Sequence, residues 1–122
     1  MATIADNLQA VHARIARAAQ VAGRRPDEIE LVAVSKTFPA GRIAEAHAAG
    51  QRAFGENHLQ EAVKKITLLC NLAIEWHFIG PIQSNKTRPL AEQFQWVHSV
   101  ERGKIAQRLN DARPEGLPPL NV

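Results

Sequence analysis

The sequence holds a single cysteine, no tyrosine and only 5% aromatic residues. One thiol, Cys70, makes no internal disulfide, and no Cys/His set has zinc-finger spacing. That usage fits a reducing compartment. So few rings leave little material for stacking nucleic-acid bases. Long hydrophobic runs are missing as well. Leu31-Val32-Ala33-Val34 falls far short of the ~20 residues a membrane helix needs. The N-terminus shows no basic segment, apolar core and cleavage site of a secretory signal, so the expected address is the cytoplasm. Charge of one sign is also scarce. Fifteen Lys and Arg against twelve Asp and Glu give +3, spread along the chain as a solvated surface rather than a nucleic-acid face. Neither nucleic acid nor membrane is expected as a partner.

What is present is ordinary globular material, 122 residues with 45% apolar and 22% charged, enough for one domain over 1–122. Thr3 and Asp6 read as a capping box with Asp in place of Glu or Gln. Ile4, Leu8, Val11, Ile15 and Ala22 follow at helical spacing, with Gly23 at the stop position, so a leading helix is expected to pack its stripe on the domain. Ile29 to Ser35 reads as strand one, apolar at every position from Leu31 to Val34 and so expected to be buried on both faces. Helix and strand then alternate. The expected helices are Pro39–Ala49, Asn57 to about Leu69, a segment within Asn85–Phe94 with Pro89 in its first turn, and Glu101–Asp111. The expected strands are Arg52–Gly55, Glu75–Ile79 and Trp96–Val100, and Leu120-Asn121-Val122 begins a further element.

One landmark per strand (Val32, Ala53, Trp76, Val97, Leu120) gives intervals of 21, 23, 21 and 23 residues. Such alternation implies an α/β fold with a parallel sheet under covering helices. A barrel of eight units needs at least about 200 residues. The chain therefore reads as the first half of a (β/α)8 TIM-type barrel. It has about four βα units plus a leading helix and stops before strand five is complete. An open doubly wound domain is the alternative, but Ser35-Lys36-Thr37-Phe38-Pro39 after strand one is no glycine-rich phosphate loop.

Strand alternation puts Val32, Val34 and Lys36 on one face, so Lys36 rises into the barrel mouth if the valines fill its interior. A lysine there loses hydration, which lowers its pKa and frees an amine able to condense with a carbonyl. A lysine snorkelling to the strand end is the plain alternative. Asn57 closes strand two at the same face, beside Glu56, and is equally readable as a helix N-cap. His77 lies in the otherwise apolar Trp76-His77-Phe78-Ile79-Gly80, where a satisfied core histidine competes with a ligand role. His12, His47, His58 and His98 do not pair at metal spacing, and no metal is expected. In Ile82-Gln83-Ser84-Asn85-Lys86-Thr87-Arg88, Lys86 and Arg88 beside a helix start could hold an anion, or the loop is simply solvated. Lys64, Lys65, Lys86 and Lys104 fall on helices or loops, where full hydration is expected to keep them protonated.

Three ordered motifs now coincide. Leu31-Val32-Ala33-Val34-Ser35-Lys36-Thr37, then Phe54-Gly55-Glu56-Asn57 with Gln60-Glu61, then Trp76-His77-Phe78-Ile79-Gly80 leading into Ile82-Gln83-Ser84-Asn85-Lys86, resemble the pyridoxal phosphate homeostasis proteins. These are related to the N-terminal barrel of alanine racemase. The resemblance covers essentially the whole chain. It implies the N-terminal half of one alanine-racemase-like barrel domain. Pyridoxal 5′-phosphate (PLP) would form a Schiff base on Lys36, with Asn57 and His77 as cofactor neighbours. It also implies phosphate-gripping loops in the last barrel strands, PLP-dependent apo-enzymes as further partners, and a monomer in the full-length form. No catalytic reaction is implied, and no catalytic residue is assigned. An open half-barrel would expose two strand edges and invite association.

Three functions compete at this point. A PLP-binding homeostasis protein would hold the aldehyde on Lys36 and release it to apo-enzymes or amines. A racemase-like Schiff-base enzyme would need a general acid/base on each face of the cofactor. A plain binding or assembly module would make Lys36 incidental.

Overall fold

The structure is a computed structural model that describes residues 2–122. Four parallel strands lie side by side in chain order: β1 Ala33–Val34, β2 Ala53–Glu56, β3 Glu75–Phe78 and β4 Trp96–Val97. Helices α2 Ala40–Ala48, α3 Leu59–Leu68 and α4 Thr87–Gln93 cross from each strand to the next, and α5 Gly103–Ala112 follows β4. The register runs Val34 to Gly55 to His77 to Trp96. Beyond β4, Trp96 pairs in parallel with Asn121, whose carbonyl accepts from the Val97 amide at 2.9 Å. A fifth strand is thus begun on the expected edge, and the architecture is the half-barrel that the spacing foretold.

Apolar side chains collect on the helix-covered face. Phe54, Trp76, Phe78 and Val97 from the strands meet Ile43, Leu90, Phe94, Ile105 and Leu109 from the helices and the α4–β4 turn, all buried. Phe78 and Phe94 pack edge to face at 5.5 Å and 84°. Each such side chain contributes about 1.5–3 kcal/mol by leaving water, so this layer is what holds the sheet flat against its helices. Arg113 closes the far end, donating to the carbonyls of Ala91 and Phe94 at 2.7 Å and of Pro118 at 2.9 Å. Burial draws its guanidinium pKa below the ordinary value.

The opposite face of the sheet, the barrel lumen, is where the expectations need correction. Val34 is 49% exposed there and Val32 is half-buried, so β1 is not covered on both faces. It is also only two residues long, because the helices supply apolar contact on one side alone. Gly55 lies between its neighbours on this face. A Cβ at Gly55 would meet Val32 Cγ1 at 3.3 Å and Ile79 Cδ1 at 3.5 Å. Strand four likewise ends at Val97, with Ser99 in the left-handed region at φ +62°.

The leading helix α1, Ile4–Val21, opens with the expected capping box: Asp6 N–H donates to Thr3 Oγ1 at 3.1 Å and Thr3 N–H to Asp6 Oδ2 at 3.0 Å. Its stripe packs less than expected. Ile4 and Leu8 touch the core, but Val11 and Ala22 are exposed. α1 rests mainly against α2 and the Pro26–Glu28 turn, so only part of its stripe finds a partner. Among the described residues, no helix is long and apolar enough to cross a membrane.

Candidate functional site

Parallel strands in chain order bring their carboxyl ends, and the loops that follow, to one rim. Lys36 stands two residues past β1, Asn57 directly past β2 and Gly80 two past β3. The turn carrying Lys36 is tight. Phe38 N–H donates to Ser35 O at 3.1 Å, and Thr37 sits at φ +68°. A left-handed β-branched residue costs on the order of 1–3 kcal/mol and persists only where its surroundings over-determine it. Lys36 itself is exposed, so the loss of hydration expected for its amine does not occur here. Asn57 is exposed as well and is not the cap of α3. That role falls to His58, whose Nδ1 accepts from the Glu61 amide at 3.3 Å. Gly80, at φ +108°, turns the chain beside Asn57; a Cβ there would lie 3.8 Å from Asn57 Cβ.

Directly beneath the Lys36 turn lies a charged cluster on the helix-covered face. Glu56 is fully buried and Lys65 is 5% exposed. The Lys65 ammonium donates to Glu56 Oε1 and Oε2 at 3.0 and 3.1 Å and to the Ser35 carbonyl at 3.0 Å, and it reaches Glu61 Oε1 at 2.9 Å. The Ser35 hydroxyl donates to the Glu56 carboxylate. The Glu61 pKa is lowered by the Lys65 hydrogen bond and charge first, with the nearby Thr37 amide contributing less. Lys65 was expected to be a hydrated helix lysine; instead it is sealed and paired. The expectation failed because Ala62, Lys65 and Leu69 share the buried stripe of α3.

The lumen face carries a second network. His77 is 3% exposed; its Nε2 lies 2.7 Å from Glu75 Oε1 and its Nδ1 3.0 Å from His98 Nε2. Its ring stacks on Trp96 at 5.5 Å and 3°. Glu30 completes the group. Its pKa is raised by burial first, then by a hydrogen bond to Glu75 and that residue's charge. His98 is lowered by burial and then by His77. Glu30, Glu75 and His77 offer ligand atoms within 4.8 Å of one another, but both His77 nitrogens are already engaged by side chains. The satisfied histidine of the sequence reading is what the geometry displays. His98 had no assigned role; adjacent strands with Glu-x-His and Trp-x-His on one face were its signal.

Beside Asn57 opens a cleft of about 500 Å³ with Asn57, His58, Gln60, Gln83 and Lys86 among its lining residues. Arg88, paired in expectation with Lys86, lies in a different hollow with Arg108 and Asp111 and reaches Glu92 at 4.0 Å. The α4 helix turns the two cations apart, so they do not form one anion site.

Known proteins match this arrangement. The family described as "Alanine racemase, N-terminal domain" matches residues 7–122. A pyridoxal phosphate homeostasis protein of Pseudomonas aeruginosa is 66% identical over all of this chain and 53% of its own length. One of Escherichia coli is 58% identical, again over the whole chain and 53% of the relative. The chain thus spans about half the length of the curated relatives it matches. Among solved structures, PipY of Synechococcus elongatus with PLP bound aligns at a TM-score of 0.69 and 45% identity, over 80% of this chain and 47% of PipY. A protein of Bifidobacterium adolescentis aligns at 0.77 and 30% identity, over 88% of this chain and 48% of its own. The curated relatives are named as homeostasis proteins, not as enzymes.

Proposed function

The chain belongs to the alanine racemase N-terminal domain family, and from that premise we propose that it carries PLP on Lys36 within a protein of intracellular PLP homeostasis. The observation that carries the reading is the placement of Lys36. It is an exposed amine in a strained, held turn at the carboxyl end of the first strand, the end where barrels of this type bind ligands. The residues around it fit the group. Asn57 at the end of the neighbouring strand and Gly80 at the end of the one beyond it give a polar side chain and a stretch of bare backbone that a flat ring can approach. His77 lies on the lumen face, one strand over from Gly55, and supports the floor beneath that rim. PLP would supply an electrophilic aldehyde there, which the Lys36 amine would hold with loss of water and give up either to water or by exchange with an incoming amine. Lys36 thereby serves as a reversible carrier, with Asn57 as its polar neighbour. PLP-dependent apo-enzymes are the class of partner that would receive the cargo. A PLP-bound structural relative and relatives named for homeostasis support this reading over a racemase.

Reductive trapping tests it. Borohydride treatment of the chain with PLP, followed by peptide mapping, is expected to fix the label on Lys36. Lys65 is excluded by its burial and its bonds to two carboxylates. A label found chiefly on Lys86 or Lys104 would overturn the assignment.

A further inference from the structure

Glu56, Lys65 and Glu61 take no part in carrying a ligand, yet their side-chain bonds beyond the cluster all end on the turn around Lys36. The ammonium of Lys65 holds the Ser35 carbonyl, Glu56 holds the Ser35 hydroxyl, and Glu61, paired with that ammonium at 2.9 Å, lies near the Thr37 amide. Ser35, the residue before Lys36, is thus fixed twice by one group that also borders Thr37, while the Lys36 side chain is left exposed. All three ammonium protons of Lys65 find acceptors, on Glu56, Glu61 and Ser35, so nothing in the cluster remains free to bind a ligand directly. A buried ion pair adds little stability over a well-packed apolar pair, but its geometry is directional. The Thr37 conformation is the kind of strain that such directed bonds sustain.

We propose, resting on the reading of Lys36 as the carrier, that Glu56, Lys65 and Glu61 are positioning residues that hold the Lys36 turn in its left-handed form and so aim the amine. The ion pair commits one lysine to the scaffold in order to leave a second lysine accessible and oriented. Glu61 is the informative member, because it is partly exposed and its loss strands no buried charge.

The test compares the parent chain with Glu61→Gln, Glu61→Asp, Lys65→Met and Lys36→Ala. Two readouts are taken: hydrogen exchange at individual amides, and the absorbance band of bound PLP. Glu61→Gln is expected to speed exchange at Thr37 and Phe38 while Leu90 and Val97 keep parental protection. It should weaken apparent PLP affinity about two- to fivefold, the scale of a partly exposed ionic contact. Glu61→Asp should recover part of that loss, which a general loosening of the fold would not. Lys65→Met should weaken binding more, about tenfold or beyond. A parent band that disappears in Lys36→Ala but is unchanged in Glu61→Gln, with unchanged Thr37 exchange, overturns the proposal alone. A parent band that survives Lys36→Ala overturns the carrier reading, and the positioning role falls with it.

Discussion

On the helix-covered face of the sheet, Glu56 meets an ammonium and is sealed from water; on the lumen face, beginning from the adjacent residue pair Gly55 and His77, a chain of carboxylates and imidazoles stands half-open. Both networks arise from the same alternation of side chains along β2 and β3. They differ in what surrounds them. Glu56 lies under α3 against that helix's own Lys65, where a charge without its partner has no water to turn to. Glu30 and Glu75 keep access to solvent at the amino end of the strands, and there a retained proton on Glu30 eases the meeting of two carboxylates. Burial makes the first network a fixed structural joint, while the second carries shifted groups at Glu30 and His98.

The sharpest way to break this contrast is Lys65→Met. It strands the fully buried Glu56 carboxylate and is expected to cost about 3–5 kcal/mol in denaturant-unfolding free energy. Adding Glu56→Gln should restore much of that loss, because the uncompensated charge is gone. Equal stability of the single and double variants would show that Glu56 reaches water after all. A smaller effect is expected on the lumen face. His77→Phe keeps a ring against Trp96 but gives up the bonds to Glu75 and His98, and should cost about 1 kcal/mol in the same assay. A loss as large as that of Lys65→Met would erase the distinction between the faces.

The smallest expected effect is on the pH dependence of Tm. Glu30 is raised above its ordinary 4.5, so the folded chain holds that proton longer than the unfolded one. Its contribution is complete below about 4.5 and is lost as pH rises through the raised value. His98 is lowered from 6.5, so its contribution is complete above 6.5 and is lost as pH falls through the lowered value. The two slopes oppose each other. Glu30→Gln should flatten the loss on rising pH, and His98→Gln the loss on falling pH. Variants that leave the Tm–pH curve unmoved would mean the lumen groups titrate as if unfolded.

Much of this was readable from the residues alone. The strand–helix alternation gave parallel strands in chain order, and the motif around Lys36 placed it at the rim. Boundaries were less legible, because a strand's length depends on its neighbours. Ile29 to Ser35 reads as seven strand residues, yet only Ala33 and Val34 find ladder partners on β2. The cap of α3 lies at His58 and not Asn57, since a ring nitrogen can accept the third helical amide, that of Glu61. Lys65 was misplaced for a different reason. Its spacing from Ala62 and Leu69 marked the buried stripe, but a lysine there reads as buried only once Glu56 is seen to face it from β2. That pairing is tertiary, and helical periodicity does not contain it.

Gly55 carries one more consequence. The room its missing side chain leaves in the lumen is taken by Val32 from one side and Ile79 from the other, at 3.3 and 3.5 Å from where a Cβ would stand. Three successive segments of the chain therefore share a single allotment of space, and none of them can change size independently. Across relatives, a larger residue at position 55 should be accompanied by a smaller one at 32 or 79, a linked substitution pattern that links the three strands as one inherited unit.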